Sequence, residues 1–282
     1  MKANALTPDQ YCRERAAKSG SSFYYSFLFL PPLKRRAITA LYAFCREVDD
    51  VADECHDIAI ARTKLAWWHN EVSNIFAGRP EHPVGQALAP LVRAFGLPAT
   101  EFDEIITGME MDLTQNRYPD FDQLQLYCHR VAGVVGLLSA RIFGYQDART
   151  EAYAHDLGLA FQLTNIIRDV GEDARRNRIY LPLDELARFD VSETDILHGR
   201  ETGNFSQLMA FQGERANQYY AKAFAELPAV DRKSQRTGLI MAAIYHTVLD
   251  EVRQDGYHVL NQRISLTPLR KLWIACRTWL KE

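Results

Sequence analysis

The sequence predicts an all-α protein, one domain over residues 1–282 with its helices packed around a central cavity. Three observations lead there. Helix-starting prolines and helix-ending glycines punctuate the chain throughout, as at Thr7-Pro8, Pro31-Pro32, Gly78-Arg79-Pro80 and Gly96-Leu97-Pro98. Strand alternation is nearly absent, with Arg178–Leu183 the only candidate. Two stretches far apart in sequence each place acids and arginine on one helical face, which suits two helices facing each other across a shared space.

In chain order, Thr7 is expected to cap the first helix, with Pro8 at its first position and Gln10 completing a capping box. Pro31-Pro32 precedes a long helix from about Lys34 to Glu54; Gly78 ends the next, and Gly96 a short one after it. Asp120 and Gln123 form the start signal for a helix over Leu124–Phe143, which Gly144 stops, and Asp147 begins its successor. Beyond Leu183 the sequence predicts short pieces as far as Gly203, then helices at about Phe205–Glu226, Lys233–Asp255 and Thr267–Lys281.

Composition narrows the function. A formal charge of −3 gives no sign of nucleic-acid binding, and 14 Phe with 13 Tyr furnish an aromatic interior. Five cysteines without a C-x-x-C pair suit a reduced, cytoplasmic chain. Met1–Lys18 is too polar for a secretory signal. The longest apolar run, Val131–Ala140, falls short of the roughly 20 residues a membrane span needs. The expected location is the cytoplasm, with at most a peripheral contact with the inner face of the membrane.

The chemistry centres on Ala43–Glu54, AFCREVDDVADE. At about 100° per residue, Arg46, Asp49, Asp50 and Asp53 share an arc roughly 100° wide, and Ile38, Leu41, Cys45, Val48 and Ala52 are expected on the opposite side. Carboxylates one turn apart repel, so a bound cation is expected to relieve them, and hard oxygen ligands suit Mg²⁺. Replacing one such aspartate is expected to leave stability unchanged or to raise it. Leu157–Pro182 repeats the pattern, with Gln162, Asn165, Arg168, Asp169 and Asp173 on one face and Leu159, Leu163, Ile166 and Val170 on the other. Facing each other, the two helices have the ligands for two or three Mg²⁺ ions and one diphosphate. The basic run Arg175, Arg176 and Arg178 directly follows Asp173 and supplies one or two further anion contacts.

Other stretches carry two readings each. Tyr127–Ile142 holds Ala132, Gly133 and Gly136 inside a helix, for close helix–helix contact or for a wall thinned beside a hydrocarbon chain. SGSSFYYSF, at Ser19–Phe27, is either a capping loop with core aromatics or a phosphate loop, with Ser19 and Ser22 as donors and Phe23 and Phe27 lining an apolar pocket. In the last helix Leu269, Leu272, Trp273, Cys276 and Leu280 share a face flanked by Arg270, Lys271, Arg277 and Lys281; docking onto the bundle is the simpler reading, a weak membrane contact the other. No H-x-x-x-H, E-x-x-H or G-x-G-x-x-G is present, which argues against zinc, di-iron and dinucleotide sites.

Taken together, SSFYYSF, AFCREVDDVADE, YCHRVAGVVG, LTNIIRDVGED and Arg178-x-Tyr180-x-Pro182 resemble the squalene and phytoene synthase family of head-to-head prenyl-diphosphate condensing enzymes, over nearly the whole chain. Within it the chain looks most like the bacterial branch that makes presqualene diphosphate for hopanoids. The resemblance implies an isoprenoid-synthase-type helical bundle and a Mg²⁺-dependent prenyltransferase acting on farnesyl diphosphate. It matches Asp49 and Asp53 to the first metal-binding aspartates and Asn165, Asp169 and Asp173 to the second set. Arg46, Gln162, Arg168, Tyr245 and the Ser19–Ser22 loop match diphosphate-side contacts, Tyr42 and Tyr127 lie near the reacting carbons, and Arg263 is a further diphosphate contact. Downstream squalene-pathway enzymes are the expected partners. Squalene or dehydrosqualene synthesis, phytoene synthesis from geranylgeranyl diphosphate, and a non-catalytic helical scaffold are the alternatives.

Overall fold

The computed structural model describes residues 6–18, 26–27, 29–55 and 57–282, and these are helical almost throughout. Helix α1 (Pro8–Lys18) begins on the expected reciprocal cap: the Thr7 amide donates to Gln10 Oε1 at 2.8 Å, and the Gln10 amide to Thr7 Oγ1 at 3.3 Å. Helix α2 (Pro32–Glu54) carries the first acidic stretch. Helix α3 (Ile58–Ala77) starts under an Asp57 cap and ends at Gly78, whose φ of 76° is open to glycine at little cost. Helix α4 (Pro83–Ala94) follows.

Helix α5 (Ala99–Asp112) has no counterpart in the sequence reading. Its apolar spacing, Phe102, Ile105, Ile106 and Met109, is the ordinary one-face pattern, and all four are buried. Helix α6 (Phe121–Cys128), one π-helical turn (His129–Gly133) and α7 (Val134–Phe143) form the rod expected as a single helix, capped by Asp120 and ended by Gly144 at φ 79°. By length and composition Phe121–Phe143 is apolar enough to cross a membrane, but it packs between α5 and helix α8 (Arg149–Arg175), as a core helix does. Arg178–Leu183 is no strand; a single parallel bridge, Arg117 to Ile179, is all the extended pairing there.

The remaining helices are α9 (Leu183–Arg188), α10 (Glu193–Leu197), α11 (Gly203–Glu226), α12 (Arg236–Gln254) and α13 (Pro268–Lys281). Helices α7, α11 and α12 all pack on α8, which makes α8 the central post. A Cβ on Gly136 would lie 2.2 Å from the Ala154 carbonyl oxygen, and one on Gly158 2.5 Å from that of Ala132. Close backbone contact therefore requires these glycines. Ala132 and Gly136 also line the cavity described next, so the thin wall is a consequence of the same contact.

Candidate active site

Between α2, α5, the α6–α7 rod, α8 and α12 lies a cavity of about 550 Å³, within the range of small-molecule sites. Its lining runs along α8 from Tyr153 to Asp173, about 30 Å by helix rise. The charged end opens to solvent, where Arg176 and Arg263 are about half exposed. From there the lining becomes apolar through Leu41, Ile105, Val131 and Phe161 to Phe143 and Met241.

Both acidic faces meet here. Asp49 and Asp53 from α2, Asn165, Asp169 and Asp173 from α8, and Arg46, Arg168, Arg178, Arg263 and Gln162 all line the cavity, as do Tyr42, Tyr127 and Phe27. Ser19, Ser22 and Phe23 lie outside the described residues. Tyr245 sits in the layer behind: it is buried, its ring packs on Phe161 at 4.8 Å, and its hydroxyl oxygen is hydrogen-bonded by Asn165. Arg175 is exposed and is not part of the lining, so Arg176 and Arg178 alone of the basic run reach the site. The expected division of α2 into opposite faces is corrected as well: Ile38, Leu41 and Cys45 line the same cavity as Asp49 and Asp53. Eleven residues are about three turns, so Ile38 lies beneath Asp49, on a stripe that is apolar at one end and acidic at the other.

Each arginine is held by a carboxylate. Arg46 reaches Asp49 and Asp50, both at 2.6 Å; Arg178 reaches Asp53 at 2.7 Å, and Arg176 reaches it at 2.9 Å. Asp169 accepts from Arg168 Nε at 2.7 Å and from Arg263 Nε at 2.8 Å. Burial pushes Asp49, Asp53, Asp169 and Asp173 upward, and the arginines decide which of them stay ionised. Arg178 and Arg176 bring Asp53 below its ordinary value despite burial, and Arg168 and Arg263 do the same for Asp169. Asp49, less well compensated by Arg46, rises to about 7. Asp173, partly buried and close to ionised Asp169, rises to about 8.

Asp112, at the end of α5, is a site residue that the sequence reading lacked. It accepts hydrogen bonds from the Tyr127 hydroxyl at 2.9 Å and the Tyr180 hydroxyl at 2.7 Å, and burial raises it to about 6. Tyr118 stacks on Tyr180 with ring centroids 5.7 Å apart, and Tyr127 on Tyr180 at 5.2 Å, so three phenol rings and one carboxylate form a single wall. A hidden helix concealed Asp112: without α5, MEMD reads as another acidic stretch of surface. Burial also holds the Tyr127 phenol well above its ordinary range, so it keeps its proton at neutral pH.

The donor set suits Mg²⁺. Asn165 Oδ1 is a buried oxygen without a hydrogen-bond partner, and Asp173 is a partly buried carboxylate in no ion pair among the described residues. Both are hard oxygen donors of the kind a divalent cation would satisfy. Among the described residues no three His, Cys, Asp or Glu side chains converge into a closed cage. Mg²⁺ takes one or two carboxylates and fills its shell with water and substrate phosphate.

At the apolar end, Gln235 donates to the Gly144 carbonyl at 3.0 Å and to that of Ala140 at 3.4 Å, and Gly238 leaves room for Tyr153, whose hydroxyl would sit 2.8 Å from an added Cβ. The Tyr153 hydroxyl is buried without a partner, a defect that costs about 1–3 kcal/mol. Tyr153→Phe is therefore expected to raise the thermal unfolding midpoint in calorimetry; a lower midpoint would show that the hydroxyl is satisfied.

The chain can now be set beside known proteins. The family described as Squalene/phytoene synthase matches residues 16–270. A phytoene synthase of Arthrospira platensis is 38% identical over 96% of this chain and 93% of its own length. The crystal structure of a dehydrosqualene synthase with bound ligand superposes at a TM-score of 0.88, with 29% identity, over 97% of this chain and 96% of that one. Squalene synthase HpnC from Alicyclobacillus acidocaldarius superposes at 0.79, with 27% identity, over 89% of this chain and 94% of its own. A helical fold, a cavity with two facing acid–arginine clusters and a match over nearly its full length place the chain in the squalene/phytoene synthase family of prenyltransferase-type enzymes.

Proposed function

We propose that the protein condenses two farnesyl diphosphates head to head into presqualene diphosphate with release of diphosphate, in the cytoplasm, using Mg²⁺ held by Asp49, Asp53, Asn165, Asp169 and Asp173. The observation that carries this reading is the meeting of two carboxylate–arginine clusters at the open end of one apolar cavity. When bound, Mg²⁺ supplies electrophilic pull on the diphosphate and neutralises its charge. Arg46, Arg168, Arg178 and Arg263, each now paired with a carboxylate at the cavity's open end, would serve as guanidinium donors to the diphosphate oxygens.

The carbon–oxygen bond at C1 of one substrate breaks, its electron pair leaving with diphosphate. The C2–C3 alkene of the second attacks the allylic cation, and loss of a proton closes the cyclopropane. Phe27, Tyr42, Tyr127, Phe161 and Tyr180 line the cavity, and each aromatic face near a cation is worth about 0.5–2 kcal/mol. The proton leaves to the released diphosphate or by way of Tyr42 or Tyr127; the Tyr127 hydroxyl already donates to Asp112.

Phytoene formation from geranylgeranyl diphosphate is the second reading, favoured by the 38% identity to the Arthrospira platensis protein. The choice of the shorter substrate rests on SSFYYSFLFLPP and ALYAFCREVDDVADE, with their likeness to the hopanoid branch, and on a floor closed by Tyr153 and a tethered Gln235. The test is product analysis after incubation with each prenyl diphosphate and Mg²⁺, with and without NADPH. Presqualene diphosphate from farnesyl diphosphate, unchanged by NADPH, is expected. Squalene formed only with NADPH would overturn the stopping point, a C40 polyene from geranylgeranyl diphosphate would establish the second reading, and diphosphate release from neither would mean a non-catalytic relative.

A further inference from the structure

Helix α13 presents an apolar stripe to solvent. Leu269, Trp273, Cys276 and Leu280 recur at spacings of four, three and four, within one arc of roughly 60°. Leu269 is 80% exposed, Trp273 59% and Leu280 85%. The helix is docked by its other side: Ile274 and Ala275 are buried, Trp279 stacks on Phe29 at 5.0 Å, and the Arg236 guanidinium lies 4.9 Å over the Trp279 ring. The stripe is therefore not what holds the helix to the bundle, which corrects the docking expected from sequence. Isolated exposed leucines are ordinary; a stripe with a tryptophan at its centre is not.

Charge decides what covers it. Among its fourteen residues α13 has Arg270, Lys271, Arg277 and Lys281 and no acid, on a chain whose formal charge is −3. Arg270 is paired with Glu251 at 2.5 Å, whereas Arg277, 5.3 Å from the Trp273 ring centroid, and Lys281 flank the stripe without an ion-pair partner among the described residues. A second copy of the helix would bring these cations against their own kind. An anionic surface with an apolar interior satisfies both features at once.

We propose that the solvent-facing stripe of α13 docks the protein on an anionic phospholipid bilayer, Leu269, Trp273 and Leu280 entering the headgroup–acyl boundary and Arg277 and Lys281 meeting lipid phosphates. Three residues separate Arg263, which lines the open end of the cavity, from Thr267, which caps α13. The Leu269 end of the stripe thus begins near the cavity mouth, while Trp279, near the other end of the helix, packs on Arg236, next to the tethered Gln235 of the closed floor. The docking stands on α13 itself and does not depend on which prenyl diphosphate is used.

The test is co-sedimentation of the full chain with vesicles of phosphatidylcholine alone or mixed with phosphatidylglycerol, alongside light scattering for oligomeric state. The full chain is expected to pellet with the mixed vesicles, to stay in solution with phosphatidylcholine, and to be released by salt. Leu269→Ser/Trp273→Ser/Leu280→Ser and, separately, Arg277→Glu/Lys281→Glu are each expected to weaken binding by about tenfold or more with the unfolding midpoint retained. Equal binding by the unaltered chain and both folded variants would overturn the proposal. So would no binding by the unaltered chain, or a dimer that the triple variant abolishes in the absence of vesicle binding.

Discussion

Asp49→Asn and Asp169→Asn are each expected to lower prenyl-diphosphate turnover by about 10²–10³-fold, the usual loss when one preorganised electrostatic group is removed. Their effects on stability are expected to differ in sign, which the two acidic motifs alone do not foretell. Asp49 is poorly compensated, and burial lifts it to about 7. Without metal near pH 8, Asn in its place removes a disfavoured charge and should raise the unfolding midpoint. Asp169 is the common partner of Arg168 and Arg263, so Asn there leaves two guanidinium groups facing each other, at a cost of about 1–3 kcal/mol. Steady-state diphosphate release with thermal unfolding on the same samples measures both quantities. Near-normal turnover by either folded variant would remove the metal-site assignment, and equal stability changes would remove the distinction between the acids.

Metal-free protein is expected to lose stability as the pH rises from about 4 to about 8, and Mg²⁺ to restore it most at the upper end. Asp49 and Asp173, near 3.8 when unfolded, sit at about 7 and about 8 in the fold, with Asp112 at about 6. A carboxyl raised in the fold favours folding while protonated, so its contribution is full below the unfolded value and disappears as the pH climbs through the folded one. Asp53 and Asp169 are lowered; their contribution is present above 3.8 and falls away only in acid, outside this window. About a third of the Asp49 side chain is open to the cavity, so solvent screening makes the change smaller than its shift alone implies. Unfolding midpoints at about pH 6 and about pH 8.5, with and without Mg²⁺, measure the effect. A larger gain from Mg²⁺ at the higher pH is expected, with the metal-free slope reduced in Asp173→Asn. A gain independent of pH would show that these carboxylates are not the ones Mg²⁺ relieves.

Local signals account for what was legible in the residues. Thr7, Pro32, Gly78, Asp120 and Gly144 mark helix ends because capping and left-handed turns involve only a few neighbouring residues. The acid–arginine pattern of α2 and α8 was equally readable, since a one-turn repeat is a property of the helix. Helix α5 was missed because no strong start signal precedes Ala99; Pro98 caps without a side-chain bond, and the apolar spacing alone had to announce it.

By itself, then, the sequence determined the all-α class, the helix ends, the family and the residue types available for binding a diphosphate and a hard cation. Only the tertiary structure decided which of those residues meet. It joined Asp112 to Tyr127 and Tyr180, and it set Arg263 on Asp169 across 94 positions of chain. Ile38 and Cys45 were turned to the cavity beside the acids they seemed to oppose, and the apolar stripe of α13 was left facing outward. The reason is physical: periodicity sets the angle between residues on one helix, whereas the side of a helix that is buried depends on what packs against it.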